Sequence, residues 1–119
     1  MTQDLPVYPM RIWRGTTSPP FIVELPIDGA GSAFHLDIVL ATGARLLLST
    51  SDASLTAAPV VVEGETWTRV TWPRTLAQSQ LVPIGPRAGQ YELKQTEPSG
   101  GVRPWLCGEV IGIGGIVDG

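Results

Sequence analysis

His35 is the single histidine of the chain, and it stands two residues before Asp37. Residues two apart in an extended strand point to the same face, so the imidazole and the carboxylate would be neighbours. Such a pair can orient a serine nucleophile, as in a catalytic triad. The nearest serine in sequence is Ser32, and no Gly-x-Ser-x-Gly motif occurs. The sequence therefore predicts a surface or interface histidine in preference to a hydrolase.

Four tryptophans are the second set of residues that could bind a ligand, because exposed indole rings stack on sugars and nucleobases. They are Trp13, Trp67, Trp72 and Trp105. All four fall in segments with a strand pattern, where packing inside the fold is the commoner outcome. A carbohydrate- or receptor-binding module stays open as the alternative function, and two tryptophans on one face would favour it.

Metal and phosphate sites are not expected. One histidine, one cysteine and dispersed carboxylates give no recognisable ligand spacing, and Glu63 and Glu65 are simply solvated charges beside a turn glycine. The run Gly112-Ile113-Gly114-Gly115 is not a dinucleotide fingerprint, because the third glycine of Gly-x-Gly-x-x-Gly would fall on Val117. The sequence predicts no cofactor and no catalytic residue.

The charge of the chain argues against nucleic acid as a partner. The net charge is −3, and the eight basic residues are scattered and form no basic face. Charged residues make up 16% of the chain, against about 25% in an average globular protein. A thinly charged and partly apolar surface favours a protein that covers this surface with partners. We therefore expect a homo-oligomer.

Cysteine usage and hydropathy indicate where the chain folds. Cys107 is the only cysteine, so a disulfide framework is excluded and a reducing cytoplasm is expected. Residues 1–6 lack the basic and apolar regions of a secretion signal, and no apolar run reaches the 18 residues of a membrane span. The sequence predicts a chain made in the cytoplasm and not associated with a membrane.

Glycines and prolines divide the chain into short segments rich in Val, Ile, Thr, Trp and Leu, which is typical of an all-β protein. Strands are predicted at residues 10–14, 21–25, 33–40, 45–49, 59–63, 66–72, 89–93 and 102–113. The clearest alternation is in 33–40, where Phe34, Leu36, Ile38 and Leu40 share one face. Residues 73–81 are the only helical segment, with Thr75 as its N-cap.

These segments predict one domain with the architecture of an immunoglobulin-like two-sheet β-sandwich and one short helical connector. The predicted domain covers residues 10–113, between an extended N-terminal arm at 1–9 and a C-terminal tail at 114–119. Residues 110–117 are apolar on both faces of a strand. Such a run is either a central strand within the fold, as expected up to Ile113, or completes a sheet or groove of a neighbouring subunit, as expected beyond it. The residues predicted to contact neighbouring subunits are Leu5, Val7, Tyr8, Ile113, Ile116 and Val117.

Tyr91 follows Gly89 at the start of a strand, after a Pro/Gly-rich corner. In immunoglobulin-like sandwiches a tyrosine at this point forms the tyrosine corner, and its hydroxyl bonds to a backbone group a few residues upstream. Tyr91 and Gly89 are the candidates for this corner. The alternative is that Tyr91 is an ordinary half-buried strand residue.

The order of these parts resembles the N-terminal immunoglobulin-like domain of phage baseplate upper proteins and related small virion proteins. The resemblance spans most of the chain. It rests on Arg14-Gly15, the hairpin around Gly43, the short helix at 75–81, Gly89-Gln90-Tyr91-Glu92-Leu93, and Leu106-Cys107-Gly108-Glu109-Val110. Two features depart from the family: Thr16 stands where an aspartate usually follows Arg-Gly, and the long fibre-forming extension is missing.

The resemblance implies a non-enzymatic structural protein of a tailed-phage particle, in the tail, the baseplate or an adaptor. Its partners would be other virion proteins and copies of itself, and its location would be the virion. Immunoglobulin-like sandwiches serve many unrelated functions, so these statements are expectations that the resemblance provides.

Overall fold

The computed structural model describes residues 7–17 and 20–114. Within these ranges, eight strands form, with one helix between the sixth and the seventh. They are β1 (Met10–Trp13), β2 (Phe21–Leu25), β3 (Ala33–Leu40), β4 (Arg45–Ser49), β5 (Thr56–Val62), β6 (Glu65–Trp72), α1 (Leu76–Gln80), β7 (Gly85–Thr96) and β8 (Val102–Ile113). The all-β class predicted from the sequence is confirmed.

The strands form two sheets. Five strands pair in the order β1-β8-β7-β3-β4, and three pair in the order β2-β6-β5. Every pairing is antiparallel except that of β1 with β8, which is parallel. Buried apolar side chains of both sheets belong to one hydrophobic cluster, so a single core joins the two sheets.

β3 shows most directly how the sequence produces the core. Its apolar side chains alternate with exposed or half-buried ones, and Phe34, Leu36, Ile38 and Leu40 are all buried, as predicted. Burying one such side chain contributes roughly 1.5–3 kcal/mol. β3 lies between β7 and the edge strand β4, so this row of four covers the part of the five-stranded sheet's inner face next to that edge.

β5 and β7 begin three or more residues earlier than the sequence pattern predicts. β5 begins at Thr56 and not at residue 59, because β6 offers a pairing partner from Thr71 onwards. β7 begins at Gly85, within the Pro/Gly segment assigned to a corner, and a register shift between Gly85 and Gly89 accommodates that segment. In both cases a partner strand extends the pairing into residues of low strand propensity.

α1 is five residues long and has a complete capping box. The hydroxyl of Thr75 accepts a hydrogen bond from Gln78 N at 3.1 Å, and Gln78 Oε1 accepts one from Thr75 N at 2.9 Å. The predicted N-cap at Thr75 is therefore confirmed. Gln78 Oε1 also accepts from Trp72 Nε1 at 3.1 Å, which attaches the helix to the core. None of the described residues forms a helix long and apolar enough to cross a membrane.

The segment between β1 and β2 is held against the helix. Gly15 N donates to Ser79 Oγ at 3.1 Å, and the guanidinium of Arg74 donates to the carbonyl and hydroxyl oxygens of Thr16. Arg74 is buried, and this burial lowers the pKa of its guanidinium. The Arg14-Gly15 turn and the helix are therefore one packed unit, although about sixty residues separate them in sequence.

Candidate functional site

His35 and Asp37 lie, as predicted, on the outer face of the five-stranded sheet, away from the core. The pairing register places His35 directly opposite Ser49 of β4, so a serine does accompany the pair. The sequence analysis missed this serine because it considered only neighbours along the chain. The serine could have been found from the length of the short turn at residues 41–44, because this length determines which residue of β4 faces His35.

The hydrogen bonds of this cluster are not those of a catalytic triad. Asp37 Oδ2 accepts from Arg45 Nη2 at 2.9 Å, and Ser49 Oγ accepts from Ser51 N at 3.0 Å. Among the described residues, His35 has no hydrogen bond to either side chain. A triad requires the carboxylate to orient the imidazole, and here the carboxylate is held by an arginine. Asp37 Oδ1 is buried with no partner within the described ranges.

The acidic and metal-binding residues remain dispersed. Within residues 7–17 and 20–114, no group of three or more His, Cys, Asp or Glu side chains could hold a metal ion. Asp52 lies in the turn after β4, where hydrogen bonds from the side chain and backbone of Ser54 lower the pKa of its carboxyl group. These bonds stabilise the turn and leave the Asp52 carboxylate a solvated surface charge.

The four tryptophans lie in four different environments. Trp72 is fully buried in the core, and Trp67 lies opposite Val60 on the outer face of the three-stranded sheet. Trp13 is partly exposed on the outer face of the other sheet, opposite Ile113. Trp105 lies at the edge of the core. No two of them form a flat surface together, so their arrangement does not favour a carbohydrate-binding platform.

Trp105 owes its position to a β-bulge. Leu93 pairs with Leu106 and Lys94 with Pro104, so Trp105 is an extra residue in β8. A bulge of this kind redirects a side chain relative to the strand's alternation. Trp105 packs against the core, and its Nε1 donates to Gln95 Oε1 at 2.9 Å. The guanidinium of Arg103 lies 4.0 Å from the centre of the Trp105 ring, which is a cation–π contact.

Tyr91 is buried, but its hydrogen bond is not that of the predicted tyrosine corner. The hydroxyl donates to Tyr8 O at 2.7 Å, 83 positions upstream and not a few residues away. The predicted acceptor is therefore wrong, because the N-terminal segment lies next to Tyr91 and the carbonyl of Tyr8 accepts the hydrogen bond. Burial raises the pKa of Tyr91 to about 12. Tyr91 thus joins the N-terminal segment to the five-stranded sheet.

Two glycines are required where backbones approach each other. A Cβ on Gly108 would collide with Tyr8 O, and a Cβ on Gly89 would collide with the backbone of Val39 and Leu40. Gly89 therefore matters for its contact with β3, whereas the sequence analysis assigned it to the tyrosine corner. Gly112, from the glycine-rich run, lies equally close to Pro83 O. These glycines serve packing, and none of the three lies at the start of a helix as a phosphate-binding loop would.

The N-terminal segment continues the parallel pairing of β1 with β8. Val7 pairs with Cys107, and Tyr8 N donates to Cys107 O at 3.0 Å. Yet both side chains are largely exposed, Val7 by 69% and Tyr8 by 61%. Of the predicted subunit contacts, Ile113 is the last residue of β8 and lies opposite Trp13. Leu5, Ile116 and Val117 lie outside the described residues, so that part of the prediction stays a prediction.

A groove of about 720 Å³ follows one edge of the three-stranded sheet. It is lined by residues 21–26 on one side and by Tyr8, Trp105 and Leu106 on the other; we call it the β2 groove. Consecutive residues of a strand point to opposite faces. A groove lined by six consecutive residues must therefore run along the backbone edge of β2 and not across one of its faces.

The edge of β2 is open, because β2 has β6 as its single strand neighbour among the described residues. Its residues are Phe-Ile-Val-Glu-Leu. Glu24 is the one charge, and it is neutralised by Arg69, whose Nε and Nη2 both donate to Glu24 Oε2. An open, apolar edge with unpaired backbone groups is a template for pairing with another strand.

Comparison with protein-family models and with curated protein sequences found no match to this chain.

Proposed function

We propose that this chain is a non-enzymatic structural component of a tailed-phage particle, an immunoglobulin-like sandwich that works by packing against copies of itself and other virion proteins. The observation that carries the proposal is the β2 groove, an apolar groove along an open strand edge. Such an edge supplies both backbone hydrogen bonds and side-chain pockets to an added strand. An assembly protein uses such a surface, whereas a solitary protein blunts it.

The distribution of apolar side chains supports assembly. Val61 and Leu47 are exposed by 75% and 67%, and Ile22 by 51%. They lie on three different strands, so several surfaces of the molecule carry an uncovered apolar residue. Single exposed apolar residues are ordinary on protein surfaces. They support assembly here because charged residues make up only 16% of the chain.

The segments on which the family resemblance rests lie at close contacts of the fold. The Arg14-Gly15 turn bonds to the helix through Ser79, and Gly108 of the closing strand packs on the N-terminal segment at Tyr8. Gly89 of the Gly-x-Tyr-x-Leu strand packs on β3. The sequence features shared with the baseplate domain therefore occupy packing positions of this fold, which favours a common architecture.

The arrangement on the outer face supports a non-enzymatic role. A hydrolase would need His35 hydrogen-bonded to a carboxylate and to a nucleophile. Asp37 instead binds Arg45 at 2.9 Å, and the depression around the pair, about 470 Å³, is open and lies over a sheet face. It is lined by residues of β3, β4 and β7 together with Asp52 of the turn after β4 and Val102 of β8.

The test is to look for the chain in particles. Tailed particles would be purified by density gradient from the lysate of a host that carries the gene, and their polypeptides identified and quantified by mass spectrometry. We expect the chain in a fixed ratio to the major tail protein, at several copies per particle. A host protein of similar abundance serves as the control for carry-over. If intact particles lack the chain while it is abundant in the lysate, the proposal is contradicted.

A further inference from the structure

The β2 groove has the dimensions and chemistry of a site for one added strand. Its floor and walls are contributed by Phe21, Val23 and Leu25 on one side and by Trp105 and Leu106 on the other. In an antiparallel or parallel ladder, a strand added to β2 would bond to its free backbone groups and place alternate side chains in this apolar groove. The occupant must therefore be extended, short and apolar.

We propose that the β2 groove binds residues 114–119 of a second copy of this chain, Gly-Gly-Ile-Val-Asp-Gly, as an added strand. This inference rests on the proposed assembly function and names its contact. Two β-branched apolar residues, Ile116 and Val117, follow Gly114 and Gly115, which leave the backbone free to approach β2 closely. Val and Ile also have the highest preference for strand conformation.

The reach of the chain shows why the occupant must come from another copy. The described chain ends at Gly114, which lies against Ile84, whereas the groove wall is formed by Trp105 and Leu106. Leu106 lies eight positions before Gly114, which is about 26 Å along a strand. Residues 115–119 span at most about 17 Å when fully extended. They are too short to extend along the groove of their own copy, so an occupant with this sequence must come from another copy.

Charge complements this fit. Arg103 lies over Trp105, at the end of the groove wall, and has no carboxylate partner among the described residues. Asp118 directly follows Val117 in sequence. An added strand with Ile116 in the groove against Trp105 would carry Asp118 on the same side, near this guanidinium. An exposed ion pair there adds a small stabilisation and helps to define the register.

A donor tail and an acceptor groove on different parts of one molecule form a head-to-tail contact, so copies would add to one another in a ring or an open chain. This geometry permits a decisive experiment with three variants. Ile116→Asp with Val117→Asp disables the donor. Ile22→Lys places a charge on the acceptor edge, as natural edge strands do. Leu47→Lys is the matched control, an exposed apolar residue on the far edge strand β4.

The mass of each purified chain would be measured by multi-angle light scattering over a series of concentrations. We expect the unaltered chain and Leu47→Lys to exceed the mass of one copy, 12.7 kDa, and the donor and acceptor variants to remain at it. Mixed in equal amounts, the two disabled variants retain one intact donor and one intact acceptor between them. The mixture should therefore form dimers of twice that mass and nothing larger.

Several outcomes would overturn the inference. The unaltered chain could remain a single copy at every concentration, or the donor variant could associate as strongly as the unaltered chain. Loss of association in Ile22→Lys alone would indicate pairing of β2 with β2 of another copy. Loss on deletion of residues 1–6, with the donor variant unaffected, would make the N-terminal segment the occupant. Presence in particles is measured separately, so the proposed function can hold when this contact fails.

Discussion

The three-stranded sheet has two free edges, and they differ in how they meet solvent. β5 carries Pro59 in its middle and exposes most of its side chains, whereas β2 has no proline and lies along an apolar groove. Proline has no N–H to offer an added strand, and in sheets it is confined to edges where that N–H would face solvent. One edge of the sheet is therefore protected from pairing, and the other is open to it.

This difference favours the proposal that the open edge receives an added strand. A protein under pressure to stay monomeric would be expected to blunt both edges, since either can start edge-to-edge aggregation. The protection of β5 shows that the sequence contains a device against unwanted pairing. Its absence from β2, next to Trp105 and Leu106, fits a strand that receives a partner.

Replacing Pro59 with valine should have the largest effect, because it would make β5 resemble β2. Pro59→Val restores an N–H on the free edge and adds a residue of high strand propensity. We expect new association through β5, seen as a higher mass in light scattering and as turbidity at high concentration. Ala58→Val introduces the same side chain without changing the N–H row and is the control. Equal association of both variants would show that the strand propensity of valine, and not the missing N–H, explains the difference.

Gly108→Ala should damage the wall opposite β2. A Cβ at this position collides with Tyr8 O, so the N-terminal segment must shift away from β8. We expect a loss of about 1–3 kcal/mol in the free energy of unfolding, typical of overpacking, measured by urea denaturation. Gly101→Ala is the control, because its Cβ would meet only the flexible side-chain ends of Glu97 and Ser99. Similar losses in both variants would contradict the close approach at Tyr8.

Tyr91→Phe should loosen the same wall without adding atoms. It removes the hydrogen bond to Tyr8 O, and we expect a loss of about 0.5–1.5 kcal/mol in the free energy of unfolding.

The pH dependence of that loss has a definite sign. The pKa of Tyr91 is raised from 10.0 to about 12 in the folded protein, so folding favours the neutral hydroxyl. The stability that this provides is complete below pH 10 and is lost as the pH rises towards 12. Tyr91→Phe should therefore show a smaller fall in stability across this interval than the unaltered chain. Parallel curves for the two proteins would contradict the buried, hydrogen-bonded hydroxyl.

Glu24→Gln should have the smallest effect. It breaks the exposed ion pair between Glu24 and Arg69, which joins β2 to β6. Exposed ion pairs contribute about 0.2–1 kcal/mol. We therefore expect the free energy of unfolding, measured by thermal denaturation, to fall by this amount at low salt, and the loss to disappear at high salt. Glu109→Gln, an exposed carboxylate with no ion pair among the described residues, is the control. A larger effect of Glu24→Gln would mean that the pair orients the open edge.

The strands were predictable because their apolar residues repeat with a period of two. β3 and β4 match the predicted ranges, and β8 matches from Val102 to Ile113. The faces of β6 could not be chosen in advance, since it carries a tryptophan on each. The structure buries Thr68, Val70 and Trp72 and turns Trp67 outward, because the inner set lies opposite the other sheet.

The contacts of single residues were less predictable. Ser49 faces His35 through strand register, and Tyr91 donates to Tyr8 across 83 positions. Trp105 leaves the alternation at a bulge. Each depends on which backbone lies alongside, and spacing along the chain does not contain that information.

The amino-acid sequence by itself determined the all-β class, most strand positions, the helix N-cap at Thr75 and the apolar character of both chain ends. These features are local, because alternation, capping and turn chemistry act within a few residues. Only the tertiary structure decided that β2 and β5 are the two edges of one sheet. It also decided that β2, and not β5, lies beside the apolar residues of the groove. The groove exists because Tyr8, Trp105 and Leu106, distant in sequence, are brought beside β2 by the packing of two sheets on one core.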